Sequence, residues 1–169
     1  LHHGEKLTAL PDEEITLAEA LKQHGYATAN YGKAHLRVDP KAYGFDEEIT
    51  GWVRSYHYPF GGAYNEKLPA KKGDYYTDKL TDAALDFIER NKDKPFFMYY
   101  ALNTPHYPYQ GYAKWLKHYA KLPYPRNLYA AFLSTQDETI GNLLTTLDRL
   151  KLRKDTIIVF QSDHGHSHE

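Results

Sequence analysis

A chain of 169 residues, 41% hydrophobic and 25% charged, is long enough for one domain with a sizeable core. Its net charge of -1 supplies no basic excess to collect phosphates, which argues against nucleic acid or an anionic membrane as the main partner. The absence of cysteine excludes disulfides, zinc-thiolate sites and a cysteine nucleophile, and no apolar run approaches the roughly 18 residues that span a bilayer. The start, Leu1-His2-His3-Gly4-Glu5-Lys6, has neither an initiating Met nor the pattern of a signal peptide, so we expect a piece of a longer protein.

The first element in chain order is announced by a capping box, Thr16-Leu17-Ala18-Glu19, in which hydroxyl and carboxylate each reach the other's backbone amide. The helix it opens places Leu17, Ala20 and Leu21 on one face, and Gly25 supplies a left-handed stop. Tyr26 to Tyr31 then reads as a strand, released by Gly32 into a loop with Lys33 and His35. From Asp39 to Lys72 the signals are irregular, with Pro40, Gly44, Gly51, Pro59, Gly61 and Pro69 among aromatics, and a substrate-facing excursion is expected there.

Thr77 to Asn91 carries Leu80, Ala83, Ala84, Phe87 and Ile88 at helical spacing and ends at Asp93 and Pro95. Phe96 to Leu102 is a nearly unbroken apolar run, suited to a strand covered on both faces, and it leads to Asn103-Thr104-Pro105-His106. A long helix follows from about Arg126 to Leu150, with Leu133, Ile140, Leu144 and Leu147 as its stripe. Asp137 falls inside that stripe, so its carboxylate is expected to be buried and hydrogen-bonded. Thr156 to Phe160 has the composition of a last buried strand, ending in Ser162-Asp163-His164-Gly165. This alternation predicts an α/β fold, a mainly parallel or mixed sheet flanked by helices.

Ligands of open α/β sheets bind beyond the carboxyl ends of the strands, where this chain places its polar loops. Asp163 and His164 are candidate metal ligands; the ordinary alternative is a carboxylate capping a turn beside an exposed imidazole. Lys33 and His35 suit an anion such as sulfate or phosphate, against the alternative of a solvated loop pair. Pro105 and Pro108 constrain the loop carrying His106, which otherwise reads as a histidine satisfied by backbone. His166 and His168 could join a metal cluster, although such terminal tracts are usually solvent-exposed. The sixteen tyrosines cluster in Tyr56 to Tyr76 and Tyr99 to Tyr129, packing over loops or walling a cleft that stacks on sugar rings.

These stretches, Ile15 to Lys22, Gly25 to Thr28, Tyr31-Gly32-Lys33-Ala34-His35-Leu36, Pro95 to Tyr99, Thr104-Pro105-His106, Tyr129 to Ala131 with Asp137 and Ile140-Gly141, and Asp155 to Gly165, resemble the type I sulfatases of the alkaline-phosphatase superfamily. The resemblance covers nearly the whole chain and implies that residues 1–169 are the central portion of a sulfatase catalytic domain, truncated at both ends. It implies sulfate contacts from Lys33, His35 and His106, and ligation of a divalent cation, Ca²⁺ foremost, by Asp163 with His164 beside it. It implies a formylglycine nucleophile in the parent protein, a sulfated small molecule or glycan as substrate, and an exported location.

Four departures accompany the likeness, among them the absence of the upstream acidic pair that completes the family's metal site and of the lysine expected downstream. Ala34 stands where the family commonly has Trp, and no Cys or Ser is followed two on by Pro and four on by Arg. The nucleophile is therefore expected outside the chain, and the 169 residues alone should hydrolyse nothing. A phosphoesterase or phosphonate hydrolase of the same superfamily is the nearest rival reading, and a non-catalytic binding module is a rival of another class.

Overall fold

The computed structural model describes residues 10, 11, 13–34, 39–51, 53–61, 67–162 and 164–165. Its centre is a sheet of three parallel strands in the order β2-β1-β3: β1 Ala27–Gly32, β2 Glu47–Thr50 and β3 Phe96–Ala101. Among the described residues four α-helices accompany it: α1 Leu17–Gln23, α2 Tyr76–Arg90, α3 Ala113–His118 and α4 Arg126–Arg149. The expected α/β class, a parallel sheet flanked by helices, is the observed one.

Local signals are realised where they are strongest. The Thr16 hydroxyl accepts from the Glu19 amide at 3.2 Å, and the Glu19 carboxylate accepts from the Thr16 amide at 2.8 Å. Gly25, at φ 81°, sends its N–H to Lys22 O while Tyr26 N–H reaches Leu21 O, the paired bonds of a Schellman stop. The inward face of α1 differs from expectation: Ala18 is buried and Leu17 is 62% exposed, because the small Cβ allows the helix to lie close to the sheet.

Positions alternate across the sheet as the pleat requires. Ala29, Tyr31, Met98 and Tyr100 belong to the core with Leu80, Phe87 and Phe132, under α2 and α4. On the other face Phe97 stacks on Phe45 with ring centres 6.0 Å apart, and Tyr99 is 48% exposed. β3 is therefore an edge strand of this sheet with one face partly open, not a strand covered on both faces.

The last predicted strand is not formed. Residues 156–160 pair with no strand among the described residues, and Ile157, Val159 and Phe160 are largely exposed. Composition gave this run a strand's propensity, but a strand exists only by pairing, which depends on neighbours far away in the chain. Conversely, β2 lies within the irregular stretch 39–72. Its sequence, Glu47-Glu48-Ile49-Thr50, does not look like a strand because the cations that pair with its two carboxylates lie elsewhere in the chain. Arg90 forks onto Glu47 at 2.8 and 2.9 Å with Tyr31 OH donating at 2.9 Å, and Lys67 pairs with buried Glu48, whose other oxygen accepts from Thr50.

The long helix turns a different face inward from the one its leucines suggest. Phe132, Thr135, Thr139, Leu143, Thr146 and Leu147 are buried, while Leu133 is 40% exposed and Asp137 is exposed as well. Thr135 and Thr139 can go inside because their hydroxyls return to the helix: Thr135 Oγ1 donates to Ala131 O and Thr139 Oγ1 to Thr135 O, each at 2.9 Å. With its hydrogen spent on the backbone, each presents a methyl to the core. The expectation of a buried, hydrogen-bonded Asp137 is overturned by this rotation.

Candidate functional site at the carboxyl edge of the sheet

β1 ends in a close approach. Gly32 sits at φ 112°, and a Cβ there would stand 1.9 Å from Ala101 O, so only glycine fits. The next amide, that of Lys33, donates to the same carbonyl at 2.7 Å and fixes the departure of the loop. Lys33 is half-buried, and among the described residues no carboxylate lies within ion-pair distance of its ammonium. Together with Asn30, Ala34, Leu17, Phe97 and Tyr99 it lines a cavity of about 370 Å³.

The segment after β3 is tied to the loops of both other strands. Lys33 reaches Ala101, and two residues on, Asn103 Nδ2 donates to Gly51 O, just beyond β2, at 3.2 Å. Asn103 O accepts from the His106 amide at 3.0 Å, closing the turn that presents the imidazole. His106 is exposed, its ring 4.4 Å from that of Tyr107, with Nδ1 2.7 Å from Tyr107 O. A carbonyl only accepts, so Nδ1 is the donor to Tyr107 O, which leaves Nε2 as the ring nitrogen on the other side.

An aromatic bed lies beneath this loop. Tyr56 OH donates to His106 O at 3.3 Å, Tyr56 N–H to Gln110 Oε1 at 2.6 Å, and Tyr75 OH to Gln110 O at 2.5 Å. Tyr56 also meets Phe132 edge-to-face with ring centres 4.9 Å apart. Burial pushes the Tyr56 and Tyr75 phenols well above the ordinary value and raises Tyr76 to about 12, so all three act as neutral groups. Tyr56, Tyr75 and Tyr76 are thus packed under the loops, whereas Tyr43 and Tyr99 line the cavity beside Lys33. Sequence reasoning missed Asn103, Tyr56 and Gln110. The adjacency of Asn103 to Pro105-His106 was the only local signal, since the bonds of Tyr56 and Gln110 join residues about fifty positions apart.

Lys33 and His106 are therefore brought to one edge of the sheet. His35, Asp163, His166 and His168 lie outside the described residues. His164 is exposed in a turn where Gly165 N–H donates to Ser162 Oγ at 3.2 Å. Among the described residues no three His, Asp or Glu side chains are grouped to hold a metal ion. The donor chemistry nevertheless suits one: a carboxylate and an imidazole are adjacent in sequence at Asp163 and His164.

A second cavity of about 640 Å³ lies between α2, α3 and α4, lined by Asp78, Asp82, Lys114 and Glu138, and holds none of the predicted site residues. Burial raises the Asp78 carboxyl there although Tyr112 OH donates to it.

The sulfatase family profile matches residues 2–169. The chain is 30% identical to N-acetylgalactosamine-6-sulfatase of Canis lupus familiaris, over 92% of this chain and 34% of that protein. It is 32% identical to the ulvan-active sulfatase of Formosa agariphila, over 92% of this chain and 36% of that protein. The crystal structure of Ps i-CgsB in complex with k-i-k-neocarrahexaose superposes with a TM-score of 0.71 at 22% identity, covering 88% of this chain and 39% of that one. The chain thus spans about a third of the length of the curated relatives it matches.

Proposed function

Since the chain belongs to the sulfatase family, within the alkaline-phosphatase superfamily, we propose that it supplies part of the active centre of a sulfuric ester hydrolase acting on sulfated carbohydrate. The observation that carries the reading is that the Lys33 loop is bonded to the end of β3 at Ala101, from which the loop bearing His106 departs at the same edge of the sheet. The names of the relatives, an N-acetylgalactosamine-6-sulfatase and an ulvan-active sulfatase, support a sulfated sugar as substrate.

In this reading Lys33 and His35 bind the sulfuryl oxygens, the Lys33 ammonium and the imidazole N–H offsetting the negative charge that grows as the ester bond breaks. His106 serves the leaving group. With Nδ1–H held by Tyr107 O, Nε2 is the nitrogen that would carry a proton to the departing alkoxide. Asp163 and His164 would contribute ligands to a divalent cation, Ca²⁺ by family analogy, which when bound polarises the sulfuryl oxygens. The nucleophile, formylglycine by the same analogy, would come from outside these 169 residues, so the isolated chain is inactive. An exported location accompanies the reading, as it does for the family.

The test is made in the full-length protein with an aryl sulfate and the matching aryl phosphate. Preferential turnover of the sulfate is expected; preference for the phosphate favours a phosphoesterase of the same superfamily, and turnover of neither favours a binding module. His106→Ala should lower turnover by about 10²-fold and leave metal occupancy unchanged. Undiminished turnover of the aryl sulfate would remove His106 from the mechanism.

A further inference from the structure

We propose that Asn103 is a positioning residue for this hydrolysis, acting through His106; the assignment rests on the sulfatase reading above. Asn103 is 6% exposed and bonds in two directions. Its side-chain Nδ2 donates to Gly51 O at 3.2 Å, which pins the loop beyond β2, while its backbone carbonyl receives the His106 amide at 3.0 Å. The side-chain orientation follows from chemistry, because Gly51 O can only accept and so must face the NH₂ end. Asn103 therefore sits between the strand end it leaves and the imidazole it presents, and removing its side chain lets the turn holding His106 move relative to β2.

Two further atoms mark this place as incomplete without the rest of the centre. Asn103 Oδ1 and the neighbouring Thr104 Oγ1 are both buried and have no hydrogen-bond partner among the described residues. An acceptor left unsatisfied in the interior is costly, and native proteins keep few of them. An amide is the one side chain of this size that donates to Gly51 O and still holds an acceptor for a donor of the assembled site. Aspartate would set a carboxylate oxygen against the Gly51 carbonyl, and leucine would lose both functions at equal volume.

The experiment is a double-mutant cycle in the full-length enzyme with an aryl sulfate, comparing wild type, Asn103→Ala, His106→Ala and the double variant. A group that acts through His106 has nothing to position once the imidazole is gone, so the two losses should not multiply. The expected result is a roughly 10-fold lower kcat for Asn103→Ala with KM moved by less than about threefold, and a double variant no slower than His106→Ala alone. Asn103→Asp, matched in volume, should show the same non-additivity and carries the cycle if the alanine variant does not fold. Wild-type kcat in Asn103→Ala, or losses that multiply, overturns the role while leaving the sulfatase reading intact. A wild-type enzyme inert toward sulfate esters defeats both.

Discussion

Replacing Gly32 by alanine, with Gly25→Ala as its control, separates two costs that glycine ordinarily combines. Both residues lie at positive φ, 112° and 81°, where an L side chain is strained by about 1–2 kcal/mol. At Gly25 a Cβ meets nothing within 4 Å, so that strain is the whole cost. At Gly32 the same atom would stand 1.9 Å from Ala101 O and 2.6 Å from Ala101 C, both backbone, and the end of β1 must move away from β3. The movement breaks the 2.7 Å bond from Lys33 N–H to Ala101 O, worth about 1 kcal/mol net, and disturbs close packing for about 1–3 kcal/mol more. The total is about 3–6 kcal/mol at Gly32 against about 1–2 at Gly25. Urea unfolding of both full-length variants measures the difference, and Lys33 displacement should lower kcat only in Gly32→Ala. Equal midpoints for the two variants would refute the close-approach argument.

Other consequences concern the supports of the site. Thr135→Val preserves shape but leaves the Tyr112 N–H without the hydroxyl it now reaches at 2.8 Å, and should cost about 1–2 kcal/mol in unfolding free energy; an unchanged midpoint would mean that water replaces the acceptor. The forked bonds from Arg90 hold the Glu47 carboxyl below its usual range, assisted by Tyr31 OH, so its ion pair stabilises the fold above the unfolded carboxyl's pKa and is lost as pH falls through the folded one. The pair is partly exposed, so Glu47→Gln should lower stability by at most about 1 kcal/mol near pH 7, with the gap closing below about pH 4; a gap independent of pH would contradict the assignment.

What could be read from the sequence divides along the range of the interactions. The capping box at Thr16 and the Gly25 stop are complete within ten residues, and both formed as written. The inward face of α2 was legible because Leu80, Ala84, Phe87 and Ile88 are apolar without qualification. The inward face of α4 was not, because Thr135 and Thr139 count as polar until their hydroxyls are seen returning to the backbone. The expectation for Asp137 failed with it. β2 was missed and 156–160 taken for a strand for one shared reason: strand identity belongs to the pair, and Glu47 needed Arg90, forty-three positions away. Lys33 and His106 were proposed from local pattern and family order, whereas the bond joining Asn103 to Gly51 crosses 52 positions and left no mark in the sequence.

The phenol of Tyr56 has one further implication. It is 1% exposed, packed on Phe132, and hydrogen-bonded to the backbone of the residue assigned to the leaving group. The interior of this molecule is thus mechanically continuous with the edge proposed to carry the chemistry. A lesion that loosens the packing around Phe132 would first appear as an imidazole held at the wrong height, and so as slowed turnover at temperatures where the protein is still folded. Heat inactivation should then precede heat unfolding, and substitutions far below the surface would pass for active-site mutations in any survey scored by activity alone.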